Sequence, residues 1–481
     1  MFELKALPMG QRSRLMLRIL FFSIIAASAI SAETPVSLFI EGYATQTSVQ
    51  QGANVGICVS TSAAKYDIEV ARLGLDRAVV WQKSGLPGQA QIVPEDAAPN
   101  GCRWAESVSV SVGAEWKTGY YEVVLRAADV GGKWSHRGKR TAESSAFFVV
   151  RAAHPGEKAK VLLQLCTNTY NAYNNWGGSS VYAYNSLANN QGHRVSFDRP
   201  GASQFSRWEL PFVKWAEENG YALEFAANSD LEFHPEILDA YKLVLSVGHD
   251  EYWSGPMRDH LEAWIGKGGN VAFFSGNTCC WQVRSEDEGR AFTCWKQNYH
   301  SDPVFQTRDF KTLSTAWSHH LVARPENQLT GVGFLWGGYR KSHGQFMEDP
   351  AEYEVHRPEH WIFEGTGLKR GDKFGGKDTI VGYECDGCEL VWKDGLPSPT
   401  HKDGTPDNFE VLGTCPARWH PDDAEWYEKW EIGRTGAACM GTYTQGGTVF
   451  TAGTTDWAHG LLGKDPQVEK ITRNVLDRLG K

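Results

Sequence analysis

Several features of common protein classes are scarce or absent in this sequence. Basic residues are a minority, with 48 Lys and Arg against 57 Asp and Glu and a net charge of −9. This balance argues against nucleic acid or an anionic membrane as the main partner, because both attract basic surfaces. There is no Gly-x-Ser-x-Gly elbow and no His-Glu-x-x-His pair, the motifs of many serine hydrolases and zinc proteases. What is present is an aromatic-rich chain of 481 residues, long enough for two to four domains.

The N-terminal segment predicts export. Arg12, Arg14 and Arg18 precede an apolar run over residues 19–30, and small residues follow up to Ala32. This order is typical of a secretory signal peptide, which we place at residues 1–32; the alternative is an uncleaved anchor. No later apolar run approaches the roughly 20 residues that span a bilayer. We therefore expect a periplasmic or secreted protein with no membrane span after cleavage.

Ten cysteines follow that segment, and an exported location favours disulfides. Cys58 and Cys102 are the only two in the N-terminal region, so they are a natural pair. Four downstream cysteines could instead form a zinc site: Cys385, Cys388, Cys415 and Cys439. Because zinc sites usually present two compact ligand pairs, we favour two disulfides there.

Residues 33–153 predict a small all-β domain. Short runs such as residues 67–73, 107–112 and 120–125 are rich in apolar residues at alternating positions and are separated by Gly and Pro. Such runs are typical of an antiparallel β-sandwich, here of immunoglobulin-like type. The sequence His-Pro-Gly-Glu at residues 154–157 is the predicted linker.

Residues 157–481 predict an α/β domain. Continuous apolar runs at residues 161–165, 243–247 and 270–274 alternate with helical patterns, which indicates βαβ units and a mostly parallel sheet covered on both faces. In such sheets the ligand crevice lies beyond the carboxyl ends of the strands. Only one strand end brings an imidazole, two carboxylates and a phenol together in four residues, His249 to Tyr252. It carries no thiol, which excludes glutaminase chemistry with a cysteine nucleophile.

The polar segments at the strand ends carry a family resemblance. Three motifs occur in order: Thr-Tyr-Asn-Ala-Tyr-Asn from Thr169, Gly-His-Asp-Glu-Tyr-Trp from Gly248, and Gly-Gly-Asn-Val-Ala-Phe-Phe-Ser-Gly-Asn from Gly268. Over roughly residues 160–480 the chain resembles the C-terminal domain of the N,N-dimethylformamidase large (beta) subunit. The resemblance implies a class I glutamine amidotransferase-like (flavodoxin-like) layered sheet. It also implies hydrolysis of a small formamide at a mononuclear ferric iron held by two tyrosines and one glutamate.

The iron ligands transfer only in part. Tyr252 matches one family tyrosine, but the place of the second reads Glu209-Leu210-Pro211, and the place of the glutamate reads Gln282-Val283-Arg284. Iron is therefore allowed by resemblance, while two of its three expected ligands are absent. The alternatives are another metal arrangement that uses His249, Glu251 or Tyr173, or a site without metal, so the cofactor stays unknown.

The candidate site residues lie at these strand ends and in the following loops. His249 is a candidate because imidazole titrates near neutral pH, and Asn277 follows a strand end whose backbone N–H groups could stabilise an oxyanion. The predicted catalytic residues are His249, Glu251, Asn277 and Glu384. The predicted substrate-binding residues are Tyr173, Trp253, Gln282 and Arg284, with Tyr252 as a metal ligand. For each of them the alternative is a purely structural role.

Together these features predict an exported hydrolase of non-peptide C–N (amide) bonds, metal-assisted or not, that acts on a small molecule. The alternative is a non-catalytic protein that binds a ligand or carbohydrate and keeps the family scaffold. No nucleic-acid partner is expected, and a homo-oligomer is allowed.

Overall fold

The computed structural model describes residues 37–129, 140–201, 203–341, 347–419 and 435–481. The predicted signal peptide lies outside these residues. The strands, in chain order, are β1 Ile40–Ala44, β2 Ser48–Gln50, β3 Asn54–Thr61, β4 Lys65–Leu73, β5 Arg77–Pro87, β6 Glu106–Ser111, β7 Gly119–Asp129, β8 Arg140–Arg151, β9 Val161–Leu165, β10 Arg194–Ser196, β11 Glu224–Ala227, β12 Leu243–His249, β13 Tyr252–Ser254, β14 Asn270–Gly276, β15 Trp281–Glu286, β16 Ala291–Thr293, β17 Gly333–Tyr339, β18 Tyr353–Val355, β19 Lys373–Phe374, β20 Glu384–Gly387, β21 Leu390–Lys393, β22 Leu396–Pro399, β23 Glu410–Arg418, β24 Thr435–Gln445 and β25 Gly447–Thr451.

The helices are short in most of the chain. The α-helices are α1 Ala97–Asn100, α2 Thr167–Tyr173, α3 Phe205–Trp208, α4 Leu210–Glu218, α5 Asn228–Phe233, α6 Gly255–Gly266, α7 Pro303–Thr307, α8 Asn327–Thr330, α9 Trp457–Leu462 and α10 Pro466–Leu479. Turns of 3-10 helix lie at Ala183–Asn185, Leu187–Asn189, Pro235–Ala240, Asp287–Gly289, Lys296–Ser301, Phe310–Thr312 and Trp361–Phe363. None of the described helices is long and apolar enough to cross a membrane.

The central sheet combines a parallel and an antiparallel half. Strands β11, β9, β12, β14 and β25 lie side by side in that order, and each pair is parallel. From β25 the sheet continues through β24, β23, β17 and β20, and these pairs are antiparallel. The parallel half is therefore continuous with the loop-rich part of the chain, and β20 brings Glu384 into the same sheet as His249.

Both faces of the parallel half are buried, which explains its unbroken apolar runs. In β14, Ala272 and Phe274 belong to one apolar cluster, together with residues of α4, α9 and α10. Val271 and Phe273 belong to the opposite cluster, together with residues of α6. Helix α6 begins after Ser254, whose hydroxyl caps the helix by accepting from the N–H of Met257 at 3.3 Å.

The N-terminal strands form two sheets that share a core. One sheet is β1-β3-β6 and the other is β2-β8-β7-β4-β5. Alternate residues of β3 and β7, including Ile57 and Val123, fill a common apolar cluster. Residues 38–481 form one compact unit, so the predicted domain boundary at residues 153–157 stays a prediction. The immunoglobulin-like and glutamine amidotransferase-like assignments also stay predictions.

Candidate active site

The site is built where β9, β12 and β14 end, as the parallel-sheet rule predicts. All seven residues of β12 are buried, and the strand ends at His249. Gly248 has a φ of +81°, and a Cβ there would lie 2.4 Å from the Cβ of Trp208. Glycine is therefore required at this position, because its φ is positive and α3 packs closely against it.

Glu251 is the centre of a buried hydrogen-bond cluster. Its carboxylate lies 2.9 Å from the hydroxyl of Tyr173 and 2.9 and 3.0 Å from that of Tyr182. The indole N–H of Trp281 donates to it at 2.8 Å. Its own N–H donates to Thr169 Oγ1 at 2.9 Å, which fixes the chain to α2. Although burial alone raises the pKa of Glu251, its contacts with His249, Lys296 and Tyr173 leave that pKa lowered.

His249 lies between two carboxylates. Its Nε2 is 2.7 Å from Glu384 Oε2 and 3.3 Å from Glu251 Oε2, and all three side chains are buried. The close Glu384 contact is an ion pair rather than an aligned hydrogen bond, because neither His249 Nε2 nor Glu384 Oε2 has a hydrogen-bond partner. Burial lowers the pKa of His249, but Glu384 and Glu251 outweigh it and raise the pKa to about 10. The imidazole is therefore protonated at neutral pH.

A buried lysine supplies a second positive charge. Lys296 is fully buried, its Nζ donates to Tyr252 Oη at 2.9 Å, and Nζ lies 3.4 Å from the ring centroid of Tyr182. Tyr252 Oη in turn lies 2.7 Å from Tyr182 Oη. Burial lowers the pKa of Lys296 to about 8, against the opposing attraction of Glu251. Hydrogen bonds thus connect Lys296 through two phenols to Glu251.

The three phenols of this cluster are Tyr173, Tyr182 and Tyr252. Burial first, and the negative charge of Glu251 second, raise the pKa of each well above its ordinary value. Each phenol is therefore protonated at neutral pH and donates a hydrogen bond within the cluster, Tyr173 and Tyr182 to Glu251 and Tyr252 to Tyr182.

Three predicted site residues are placed elsewhere. Trp253 is fully buried in the apolar core, where its indole N–H donates to the carbonyl of Asp250. Gln282 Nε2 donates to the carbonyl of Lys311, and Arg284 forms two hydrogen bonds with Asp302, at 2.7 and 2.9 Å. The reason is strand alternation: Tyr252 and Trp281 are paired across β13 and β15 and face the cluster, so the next residues, Trp253 and Gln282, face away.

Asn277 lies at the site, but its backbone does not have the predicted role. The N–H groups of Asn277 and Thr278 donate to the two carboxylate oxygens of Asp386, at 2.9 and 3.1 Å. They are therefore engaged and not open to an oxyanion. The side-chain oxygen of Asn277 is buried without a hydrogen-bond partner, and the preceding residue, Gly276, pairs with His249. Any role of Asn277 falls on its side chain.

Sequence reasoning missed Tyr182, Trp281 and Lys296. Tyr182 lies just before a 3-10 turn, and Lys296 begins one, so neither position belongs to a strand end or a periodic pattern. The Tyr-Ala-Tyr sequence at Tyr182 was the only local signal.

The spacing of the oxygen atoms in the cluster bears on whether it could hold a metal ion. The hydroxyls of Tyr173 and Tyr182 lie 2.7 Å apart, and each is 2.9 Å from a Glu251 oxygen. Two ligands at right angles, each about 2 Å from a first-row cation, are separated by about 2.8 Å. Phenolate and carboxylate oxygens also suit a hard cation. The donor set of two tyrosines and one glutamate therefore fits, at positions other than 209–211 and 282. The hydroxyl of Tyr252 contacts that of Tyr182, which in turn donates to the carboxylate of Glu251.

All ten cysteine side chains are buried in the structure, and the disulfides stay a prediction. Within the described residues, no group of three His, Cys, Asp or Glu side chains could hold a metal ion, which leaves the zinc alternative without support.

An open cleft lies between β1, β8 and α2 and is lined by residues that include Tyr43, Phe147, Tyr170 and Asn171. None of the charged residues of the buried cluster lines it.

Comparison with known proteins shows the family of this chain. Residues 67–470 match the family described as N,N-dimethylformamidase beta subunit-like, C-terminal. The chain belongs to this family. The match begins within β4, so it reaches further towards the N-terminus than the expected residue 160.

Two similar proteins are named N,N-dimethylformamidase beta subunit. The N,N-dimethylformamidase beta subunit of Alcaligenes sp is 26% identical over 315 residues, and that of Paracoccus aminophilus is 25% identical over 309 residues. Each alignment covers 57% of this chain but only 37% of the relative. A solved β-D-glucuronidase from Dictyoglomus thermophilum aligns with 8% identity over 49% of this chain and 44% of its own, with a TM-score of 0.15, which supports no argument about fold.

Proposed function

We propose that this chain hydrolyses the C–N bond of a small amide at the Glu251 cluster. The observation that carries this proposal is the contact of His249 with Glu384 and Glu251, at 2.7 and 3.3 Å in a buried site. Buried charges are costly, so their concentration at a strand end favours chemistry over stability. The family name indicates amide hydrolysis as the reaction class.

In the proposed reaction Glu384 is the base, and His249 and Asn277 form the oxyanion site. Glu384 takes a proton from water as the new C–O bond forms at the amide carbon. The imidazolium of His249 and the amide of Asn277 stabilise the negative oxygen of the tetrahedral intermediate. When the C–N bond breaks, Glu384 returns the proton to the leaving amine. Exclusion of water from the cluster strengthens each of these electrostatic contacts.

Tyr173, Tyr182 and Glu251 would hold a hard cation such as ferric iron. When bound, such an ion polarises an amide carbonyl and lowers the pKa of water. Because both phenols must lose their protons to bind it, the affinity for the cation should rise with pH. Lys296 positions Tyr252 against Tyr182 and thereby orders the phenols on one side of Glu251. Export to the periplasm or beyond remains part of the proposal.

The test combines metal content with turnover. Protein purified without chelators should contain about one iron per chain, absorb visible light through tyrosinate-to-iron charge transfer, and release formate from N,N-dimethylformamide. Tyr182→Phe should lose the absorption band and most of the activity. Tyr221→Phe is the matched control, because that hydroxyl lies near the surface, 3.3 Å from Asp477 and away from the cluster. Folded wild-type protein with neither metal nor amidase activity would overturn the proposal and favour a binding protein.

A further inference from the structure

Beside the cluster lie two aromatic rings that are in contact with an exposed arginine. The His249 ring lies 6.0 Å from the ring of Trp208 and 5.8 Å from that of Tyr383. These two rings are stacked on each other, 5.9 Å apart. The guanidinium carbon of Arg207 lies 4.2 Å from the ring centroid of Trp208 and 5.5 Å from that of Tyr383. One indole ring therefore separates Arg207 from the imidazolium of the site.

Arg207 is held by rings and not by an acid. Among the described residues no carboxylate lies within ion-pair distance of its guanidinium, although the side chain is exposed. The nearby carboxylate of Asp456 is buried and engaged, since it accepts from the N–H of Tyr383 at 2.5 Å and from Thr455 Oγ1 at 3.3 Å. A guanidinium stacked on an aromatic face keeps the N–H groups along its edge free, in the fork geometry that matches a carboxylate.

Among the described residues, two further aromatic side chains lie beside these rings. Tyr184 is 71% exposed and its ring packs 5.3 Å from that of Tyr182. His459 stacks on Trp208 with 6.4 Å between the ring centroids. Of these exposed or partly exposed side chains, Arg207 is the one with a permanent positive charge.

We propose that Arg207 binds a carboxylate of the substrate, so that the preferred amides are anionic N-acyl compounds such as N-formyl amino acids. This inference rests on the proposed function, because it assigns the scissile amide to the His249–Glu384 pair. The carboxylate lies on the guanidinium edge, the body of the substrate crosses the partly exposed ring of Tyr383, and the acyl carbon reaches His249. Arg207 is thus a specificity-determining residue that takes no part in the bond-breaking step.

The kinetic test uses a matched pair of substrates. N-formylglycine carries the carboxylate, and N-(2-hydroxyethyl)formamide replaces it with an uncharged group. For the wild type, kcat/KM should be about tenfold or more higher for the anion, and added salt should reduce the difference. Arg207→Gln should abolish the preference and leave the neutral substrate within about twofold. Arg308→Gln, which removes an exposed arginine elsewhere, should change neither value.

A binding measurement separates this inference from the proposed reaction. Calorimetry with N-acetylglycine needs no turnover, so it remains informative if no amide is hydrolysed. Binding to the wild type that is weakened about tenfold in Arg207→Gln, and less in Arg207→Lys, supports the carboxylate site. Equal affinity in the wild type and Arg207→Gln, or no binding to either, overturns it, whatever the outcome of the formamide assay.

Discussion

Asp250 and Glu251 are adjacent buried carboxylates with opposite surroundings. Asp250 accepts only from neutral groups, namely Ser246 Oγ at 2.8 Å, Gln164 Nε2 at 3.1 Å and Asn228 Nδ2 at 3.5 Å. Burial raises its pKa. Glu251 is surrounded by phenols and two cations, and its pKa is lowered. Burial alone therefore does not identify a functional carboxylate. The charge and the chemical type of the neighbouring side chains do.

The largest expected effect concerns Glu384, the carboxylate closest to His249. Glu384→Gln should lower kcat/KM for an amide by about 10³-fold, because it removes both the proposed base and the carboxylate closest to His249. The pKa of His249, now about 10, should fall towards its ordinary value of about 6.5. Nuclear magnetic resonance titration, with His249→Asn to assign the signal, measures the shift. An unchanged titration would show that Glu384 does not set the charge of His249.

Lys296→Met should stabilise the protein in a pH-dependent way. Burial lowers the pKa of Lys296 to about 8, so the folded state binds this proton less tightly than the unfolded state, whose value is about 10.4. The wild-type lysine therefore costs stability below pH 8, by about 3 kcal/mol, and the cost disappears as pH rises to 10.4. The stability gained by Lys296→Met should be greatest at pH 7 and vanish near pH 10.4.

Urea unfolding of the wild type and Lys296→Met at several pH values measures that difference. His249 has the opposite sign, because its raised pKa gives stability that is lost as pH rises through about 10. It is present in both proteins and should cancel in the difference. A gain that is constant with pH would contradict the charged, desolvated state of Lys296.

Asp250→Asn should cost stability and little activity. The new NH₂ group would face donors from Ser246, Gln164 or Asn228, which leaves buried polar groups without partners, at about 1–3 kcal/mol. The midpoint of thermal unfolding should therefore fall, while kcat/KM for an amide stays within a few-fold of the wild type. A large loss of kcat/KM in a folded variant would give Asp250 a catalytic role and end the contrast with Glu251.

Much of this arrangement could be predicted from the sequence. The apolar runs predicted β9, β12 and β14, and their polar continuations predicted that His249, Glu251 and Asn277 lie near one edge. Helix α10 begins with a pattern that is typical of helix starts, with Asp465 as its cap and Pro466 in its first turn. These features are local, because periodicity and capping depend on neighbours in sequence.

The failures were all non-local. Which face of β15 is turned towards the site depends on its pairing with β13. The sequence assigned Gln282 and Arg284 to the site, whereas Trp281 is the residue of β15 that donates to Glu251. Tyr182 and Lys296 reach Glu251 from loops whose path no local pattern specifies. The resemblance left two iron-ligand positions, 209–211 and 282, without a matching ligand. Tyr173 and Glu251, which the sequence offered as alternatives, lie in the oxygen cluster with Tyr182, and any metal there stays a prediction.

The most direct test of the account is formate release by Glu251→Gln and Asp250→Asn, assayed side by side with the wild type on N,N-dimethylformamide and on N-formylglycine. Circular dichroism and gel filtration verify that each variant is folded. We expect Glu251→Gln to stay folded, to lose its bound metal and to lose about 10³-fold in kcat/KM. We expect Asp250→Asn to keep its bound metal and its activity. Equal activity in the two variants, or greater loss in Asp250→Asn, would contradict the assignment of the active site to Glu251.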